Sequence, residues 1–209
     1  VQEMRYGENP HQAAAFYKEP LPVAGTLPQA VKLHGKELSY NNINDTNGAL
    51  DLLKEFGDDQ AVVVAVKHAN PCGVGLGADI HEAYVNAYNA DPVSIFGGIV
   101  AANREIDKAT AEEISKIFLE IVVAPSFTPE ALEIIEKKKN IRILTLEDIT
   151  KPVPKTAFDM KKVAGGLLVQ QYNSELFDRA DLKVVTKKQP TEQEMKDMLF
   201  GMRVVKHVK

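Results

Sequence analysis

The chain has 209 residues, of which 44% are hydrophobic and 26% are charged, with a formal net charge of −4 at pH 7. This length suffices for one large or two small globular domains, and the negative charge argues against nucleic acid as the main partner. Its apolar runs are far shorter than the roughly 18 residues of a membrane span, and its one cysteine cannot form an internal disulfide, so we predict a cytoplasmic protein with no membrane partner.

Scattered prolines and the lack of a helical period predict extended chain and turns over residues 1–40. The next segment, NDTNGALDLLKEFG, predicts a helix with Asp45 or Thr46 as its N-cap. The valine-rich run AVVVAVK, residues 61–67, does not alternate, so it predicts a strand covered on both faces. A glycine turn and the helical pattern DIHEAYVNAYN follow. A second buried strand is predicted at 94–102.

The second half of the sequence continues this alternation of helices and strands. Short strands are predicted at 121–124, 141–146 and 182–186. Helices are predicted to begin at capping threonines, the first of them in a capping box with Glu113: Thr110, Thr128 and Thr191. The order of elements indicates an α/β fold with a largely parallel sheet. We expect an extended segment at 1–40 and an α/β body at 41–209.

A lysine and a histidine stand where the valine-rich strand is predicted to end, in VVVAVKHANPCGVGLG, residues 62–77. Successive side chains of a strand point to opposite faces, so Lys67 and His68 reach one ligand only if the strand ends there. Asn70 and Gly73 are typical turn residues, and ligands bind beyond the carboxyl ends of strands in α/β sheets. A neighbouring ammonium favours the neutral imidazole, which can accept a proton. The alternative is a surface lysine beside a hydrogen-bonded structural histidine.

Two other interpretations of this segment fit less well. Gly73, Gly75 and Ala78 match the dinucleotide pattern G-x-G-x-x-A, but Lys67 to Cys72 separate the first glycine from the strand end, where the fingerprint needs it. A compact glycine turn is therefore favoured. HANPCG resembles part of a zinc deaminase signature, yet the second cysteine and the glutamate are missing. A catalytic zinc needs about three protein ligands, so no metal is expected.

Two further segments carry residues suited to binding. RYGENPHQ, residues 5–12, offers the planar guanidinium of Arg5, which suits phosphate, and the aromatic ring of Tyr6. DPVSIFGGIVA, residues 91–101, places two glycines inside a predicted strand, which indicates a bulge or a ligand close to the backbone. Each segment is a weak signal when taken alone.

Together, RYGENPHQ, VKHANPCG, DPVSIFGGIVAANREID and FLEIVVAPSF resemble a family of bifunctional purine-biosynthesis enzymes. In this family phosphoribosylaminoimidazolecarboxamide formyltransferase is joined to IMP cyclohydrolase, and the resemblance is to the formyltransferase domain. It extends from Arg5 to the last residue, with the four motifs in the family's order. The fold that it implies is a cytidine-deaminase-like layered α/β sandwich with a mixed sheet and no zinc.

The resemblance also implies a reaction: a formyl group passes from the co-substrate 10-formyltetrahydrofolate to the 5-amino group of AICAR, giving FAICAR on the route to IMP. In the family's Lys-His pair the histidine is the base and the lysine stabilises developing charge, and these roles correspond to His68 and Lys67. No metal takes part in this chemistry.

Substrate contacts are implied at five positions, which match family motifs one by one. Arg5 and Tyr6 would bind the ribotide together with Asn42 of YNNIND. The backbone of Gly97 would lie close to the ligand. Glu120, which precedes the VVAP strand, would bind the ribose or the base.

The family's chain is longer than this one at both ends. We therefore expect the cyclohydrolase domain and the second half of the formyltransferase domain to be absent from residues 1–209. Since the family builds its formyltransferase sites across a homodimer, we expect this chain to be inactive alone or to be completed by another polypeptide. The alternative from a different functional class is a non-catalytic fragment or subunit that binds the ribotide or assembles with a partner chain.

Overall fold

A computed structural model describes residues 1–209 and contains ten strands and five α-helices. The strands are β1 (Gln2–Met4), β2 (Ala14–Phe16), β3 (Val31–His34), β4 (Ala61–Lys67), β5 (Asn70–Gly77), β6 (Ile99–Ala102), β7 (Ile121–Ala124), β8 (Arg142–Thr145), β9 (Phe158–Val163) and β10 (Gly166–Gln171). The helices are α1 (Tyr40–Leu53), α2 (Ile80–Ala90), α3 (Lys108–Ile114), α4 (Pro129–Ile135) and α5 (Glu192–Val205). None of these helices combines the length and the apolar character needed to cross a bilayer.

Six strands form the main sheet in the order β3, β8, β7, β6, β4, β5. The pairs β6 with β7 and β7 with β8 are parallel, whereas the other three pairs are antiparallel. The structure therefore confirms a layered α/β fold with a mixed sheet, in which parallel pairing is limited to β6, β7 and β8. Two separate antiparallel ribbons are formed by β1 with β2 and by β9 with β10.

The valine-rich strand β4 is covered on both faces, as its composition predicts. Val63 and Ala65 belong to a buried cluster with side chains of α2, α3 and α4. Helix α1 packs against β4 and β6, and its buried leucines are not part of that cluster. Helix α1 therefore covers one face of the sheet, and helices α2, α3 and α4 cover the opposite face.

The glycine cluster lies in strand β5 rather than in the predicted turn. A Cβ atom on Gly73 would lie 2.1 Å from the carbonyl oxygen of Ala87, and one on Gly75 would lie 2.1 Å from that of Ala83. These glycines are needed because the backbone of α2 lies directly on β5. The turn interpretation was wrong because this contact joins residues that are not adjacent in sequence, and the dinucleotide pattern here reflects helix packing.

The β4–β5 pair contains a β-bulge close to its tip. Ala65 pairs with Gly73, whereas Val66 pairs with Pro71, so Cys72 is an extra residue on β5. A bulge of this kind bends the strand and shifts the alternation of its side chains by one position. The tip of the hairpin is therefore oriented differently from its body.

Two predicted helix starts were wrong, and two were confirmed. Helix α1 begins after Ser39, whose side chain and that of Asn42 cap each other's backbone N–H group, so the helix starts five residues before the first predicted cap. Helix α3 is capped by Asp107, which accepts a hydrogen bond from the N–H of Thr110. The predicted caps Thr128 and Thr191 are observed at the starts of α4 and α5.

Two predicted strands also differ from the structure. The strand predicted at 94–102 is limited to β6, because residues 92–97 form turns and Gly97 has a left-handed φ of +73°. Residues 182–186 form no strand, since no other strand pairs with them. The segment 1–40 is mostly irregular, as predicted, with three short strands.

The chain divides into two compact units. The first unit comprises Val1–Lys151 together with His207–Lys209, and it contains the six-stranded sheet. The second unit comprises Pro152–Lys206, with the β9–β10 ribbon and α5. The α/β layers therefore belong to the first unit.

Candidate functional site

One edge of the main sheet collects the ends of several strands that carry predicted site residues. Val66 of β4 pairs with Ile99 at the start of β6, and Ile99 pairs with Ile121 at the start of β7. Lys67, Gly97 and Glu120 flank these three strand ends. The edge thus combines the carboxyl end of β4 with the amino ends of β6 and β7. Lys67 lies at the carboxyl end of β4, whereas β6 and β7 contribute their amino ends because β4 runs antiparallel to β6.

Lys67 is the last residue of β4, and its side chain is held at this edge. The Nζ atom donates a hydrogen bond of 2.7 Å to the carbonyl oxygen of Phe96. Phe96 directly precedes the left-handed Gly97, so the lysine lies against the Phe-Gly-Gly bend. An ammonium group has three N–H donors, so this bond leaves donors for a ligand.

His68 and Ala69 form the two-residue turn that joins β4 to β5, and His68 is exposed. Both residues have positive φ angles, 54° and 56°. Two-residue hairpin turns with this geometry usually contain Asn-Gly or Gly-Gly. Because left-handed backbone costs an ordinary residue roughly 1–2 kcal/mol, the turn must be stabilised by its surroundings. Strain of this kind is common at functional sites.

Asp45 of α1 lies against this turn, a contact that the sequence interpretation missed. The pKa of the Asp45 carboxyl is raised mainly by burial, while hydrogen bonds from the backbone N–H groups of Ala69 and His68 and the charge of His68 oppose that rise. The carboxyl group therefore lies near both turn residues. Gly48, one turn further along α1, brings the helix close, since a Cβ there would lie 3.7 Å from the Ala69 oxygen.

Gly97 and Glu120 are joined by the backbone of the sheet edge. The N–H of Gly97 donates to the carbonyl oxygen of Phe118 at 2.8 Å, and the N–H of Glu120 donates to that of Gly98 at 2.9 Å. The Glu120 carboxylate forms an ion pair with Arg142, whose side chain is only 11% exposed. A ligand at Glu120 would therefore meet the remaining carboxylate oxygen or the Arg142 guanidinium.

The other predicted binding residues lie around the start of α1. The side-chain oxygen of Asn42 accepts the N–H of Ser39 at 3.1 Å, so it takes part in capping the helix. Asn42 precedes Asp45 by three residues, which puts both on one helix face. Arg5 is exposed, and its guanidinium carbon lies 5.8 Å from the centre of the Tyr6 ring. The loop that follows is tied to α1, because Asn41 donates to the carbonyl oxygen of Glu8 at 3.4 Å.

The structure thus brings Lys67, Gly97 and Glu120 to one sheet edge, with His68 on the adjoining turn. Asn42 is linked to this turn through the face of α1 that it shares with Asp45. Arg5 and Tyr6 are connected to α1 by their loop, but no contact joins them to the Lys-His pair. No three His, Cys, Asp or Glu side chains form a cluster that could hold a metal ion.

Two solved structures show low similarity to this chain. Acinetobacter baumannii RibD, form 1, has a TM-score of 0.39 and a sequence identity of 19%. The match covers 49% of this chain and 34% of the RibD chain. The dCMP deaminase from the cyanophage S-TIM5 has a TM-score of 0.36 and a sequence identity of 12%. The match covers 45% of this chain and 88% of the deaminase chain. Similarity at this level does not establish a shared fold.

Sequence comparison gives a much stronger result. The bifunctional purine biosynthesis proteins PurH of Acetivibrio thermocellus and Ruminiclostridium cellulolyticum are each 66% identical over 209 residues, and that of Oceanobacillus iheyensis is 60% identical. The matches cover the whole chain but 40% of each relative, so the chain spans well under half of their length. The family model described as the AICARFT/IMPCHase bienzyme matches residues 1–209. The chain therefore belongs to the AICARFT/IMPCHase family.

Proposed function

We propose that this chain supplies the Lys-His half of an AICAR formyltransferase site in purine biosynthesis. The formyl donor is 10-formyltetrahydrofolate and the acceptor is the 5-amino group of AICAR, with FAICAR as the product. Family membership supports the reaction class, and the geometry of the sheet edge supports the assignment of residues.

The reaction joins the amine nitrogen of AICAR to the formyl carbon and breaks the bond between that carbon and the folate nitrogen. The amine is a weak nucleophile because its lone pair is delocalised into the imidazole ring and the carboxamide. His68 accepts the proton that the amine loses and then returns it to the departing folate nitrogen, so that no proton is gained or lost overall. Lys67 stabilises the negative charge that develops on the formyl oxygen or on the folate nitrogen.

One observation carries this assignment: the position of Lys67 beside the Phe-Gly-Gly bend, next to the exposed His68 of the strained turn. The strand ends at Lys67 and the chain turns at His68. That is the condition under which two successive side chains can serve one ligand.

The remaining residues are assigned to substrate binding. The guanidinium of Arg5 and the ring of Tyr6 bind the ribotide, with Asn42 as a further contact. The backbone of Gly97 lies against the ligand, and Glu120 binds its ribose or base. For Glu120 this contact is shared with the ion pair to Arg142.

The chain is proposed to act as part of a larger assembly in the cytoplasm. Its relatives are more than twice its length, and the site is completed by groups that they carry outside the matching 40%. We infer that the complete enzyme is a homodimer and that the isolated chain has little or no activity.

Formyl-transfer assays test the proposal in two settings: the isolated chain, and a chimera in which it replaces the matching part of the Acetivibrio thermocellus relative. We expect turnover from the chimera only. His68→Ala should lower kcat of the chimera by about 10²- to 10⁴-fold, and Lys67→Met by about 10²- to 10³-fold. Full activity of the His68→Ala chimera would refute the role of the base, and near-normal turnover by the isolated chain would refute the half-site.

The second candidate function is a ribotide-binding subunit that performs no chemistry. It is favoured by the fact that the chain spans only 40% of its relatives. Calorimetric titration with AICAR, followed by addition of the remaining part of the relative as a second polypeptide, separates the two. Binding without restored turnover supports the subunit, and restored turnover supports the divided enzyme.

A further inference from the structure

We propose, on the basis of the function proposed above, that Asn70 is a positioning residue for His68. Its side chain fastens the tip of the β4–β5 hairpin to the C-terminal segment His207–Lys209, and this contact fixes the direction of the His68 imidazole. The reaction assigns no role to Asn70 or to that segment, although 139 positions separate Asn70 from Lys209 in the sequence.

The hairpin turn needs support at both of its ends. His68 and Ala69 form the turn, and both adopt positive φ, which is unfavourable for residues other than glycine. The residues on either side, Lys67 and Asn70, pair with each other across the hairpin. Lys67 is anchored, because its Nζ atom donates to the carbonyl oxygen of Phe96 at 2.7 Å. An anchor on Asn70 holds the other end of the turn.

The Asn70 side chain provides this second anchor by binding both backbone groups of one residue. Its oxygen accepts the N–H of Lys209 at 2.8 Å, and its nitrogen donates to the carbonyl oxygen of Lys209 at 3.4 Å. A side-chain amide has both donors and an acceptor, so it can pair with a backbone N–H and C=O as a second peptide group does. Two bonds to one residue restrict rotation of the Asn70 side chain and hold the start of β5 in place.

The C-terminal segment is itself fixed to the core. The Nε2 atom of His207 lies 3.0 Å from a carboxylate oxygen of Glu55, and both side chains are only 16% exposed. Glu55 lies just beyond the end of α1, and α1 packs on β4 and β6. His207 and Lys209 accordingly belong to the first compact unit. The turn is therefore supported from α1 through the C-terminal segment and Asn70, as well as through β4.

Amide hydrogen exchange on the 209-residue chain tests the contact without reference to activity. We expect Asn70→Ala to accelerate exchange of the Lys209 amide by about 10-fold or more, because its acceptor is removed. The amides of Val63 and Val64 in β4 should stay as protected as before. Asn140→Ala, at an exposed asparagine, is the matched control and should change none of these rates. Unchanged exchange at Lys209 in the Asn70→Ala chain would overturn the proposal.

Kinetics of the chimera test the consequence for catalysis. Asn70→Ala should lower kcat by about 10-fold or more and change KM for AICAR by less than about 3-fold, because the imidazole is misdirected while substrate binding is retained. Asn140→Ala should leave both constants unchanged. A kcat of the Asn70→Ala chimera equal to that of the unmodified chimera would contradict the positioning role.

A double-mutant cycle separates positioning from a general loss of structure. In a chimera that already carries His68→Ala, Asn70→Ala should lower kcat by less than about 2-fold, since no imidazole remains to be directed. A further loss as large as in the unmodified chimera would refute action through His68. If His68→Ala alone proves fully active, the proposed function fails, and the exchange of the Lys209 amide still decides whether Asn70 holds the C-terminal segment.

Discussion

The two units of the chain have similar sequence signals and very different packing. All of the buried side chains lie in the first unit, the last of them at Ile149. In the second unit both strands and the helix carry apolar residues, yet none of its residues is buried. Phe158 of β9 is 61% exposed and Val185 is 92% exposed. Apolar side chains thus indicate which segments can be buried, but not whether a second layer is present to bury them.

This difference in packing implies that the two units are stabilised in different ways. The first unit is stabilised by the removal of apolar surface on both faces of its sheet. The second unit has local support: the ladder of the β9–β10 ribbon, and the capping box of Thr191 and Glu194 at the start of α5. A two-stranded ribbon and a 14-residue helix are each only marginally stable by themselves.

The largest expected effect comes from removing a core side chain. Ile121 of β7 is fully buried, so Ile121→Ala should lower the free energy of unfolding by about 2–5 kcal/mol. Urea denaturation of the 209-residue chain measures the change. Leu168→Ala in the exposed ribbon is the counterpart and should remain within about 0.5 kcal/mol. Similar losses of unfolding free energy in the two variants would contradict the difference in packing between the two units.

Two glycines of the two units should respond to alanine with opposite sign. Gly75→Ala places a methyl group 2.1 Å from the Ala83 oxygen, and we expect about 1–3 kcal/mol of destabilisation from the displacement of α2. Gly201 lies within α5 with open space around it, so Gly201→Ala should stabilise the helix by about 0.5–1 kcal/mol.

Thermal denaturation reports on the Gly75→Ala chain, and amide exchange within α5 reports on Gly201→Ala. If Gly75→Ala leaves the melting temperature unchanged, the close approach of α2 to β5 is not tight enough to matter. Faster amide exchange in the Gly201→Ala helix would show that the stability of α5 is not limited by the backbone freedom of Gly201.

Ion pairs give the third comparison. Arg142 is largely buried and pairs with Glu120, so Arg142→Met leaves a partly buried carboxylate without its counter-charge and should cost roughly 1–3 kcal/mol. The Lys155–Glu175 pair of the second unit is exposed on both sides, and Lys155→Met should change stability by about 0–1 kcal/mol. Urea denaturation of both variants at low and high salt tests this, and an equal cost for the two would contradict it.

The smallest expected effect concerns thiol reactivity. Burial, and then the nearby Asp91 carboxylate, raise the pKa of the Cys72 thiol, so less thiolate is present at pH 8 and labelling should be slow. Cys72 should react with a thiol reagent several-fold more slowly than a cysteine placed at Val185 in a Cys72→Ser background. In concentrated urea the two rates should converge. Equal rates in the native chain would show that β5 is as open as the second unit.

Much of the fold is local in origin and could be predicted. The valine-rich run specifies a doubly covered strand, and Thr128 and Thr191 lie next to the helices that they cap. The start of α1 was missed because Ser39 and Asp45 are both capable caps. The reciprocal partner of Ser39 is an asparagine rather than the glutamate or glutamine of the usual capping box.

The candidate site could be predicted only where its residues are adjacent in sequence. Lys67 and His68 are neighbours, and their strand end was visible in the pattern. The contact of Asp45 with His68 and the pairing of Glu120 with Arg142 join residues more than 20 positions apart. The approach of α2 to β5 is likewise set by three-dimensional packing. Neither periodicity nor spacing carries that information.

Because Cys72 is an extra residue in β5, the packing of the hairpin body and the orientation of its tip are set separately. A hairpin without a bulge would couple the two. On the side of Cys72 away from the tip, the alternating side chains of β4 and β5 fill both layers of the core. On the tip side, the side chains of β5 alternate with a shift of one position relative to the rest of that strand. Shortening β5 by this one residue would leave Val66 opposite Pro71 and Lys67 opposite Asn70, so the register of β4 would be kept while the local bend of β5 would be lost. The orientation of the tip can thus change through an insertion or a deletion at this position while the register of the β4 valines is kept.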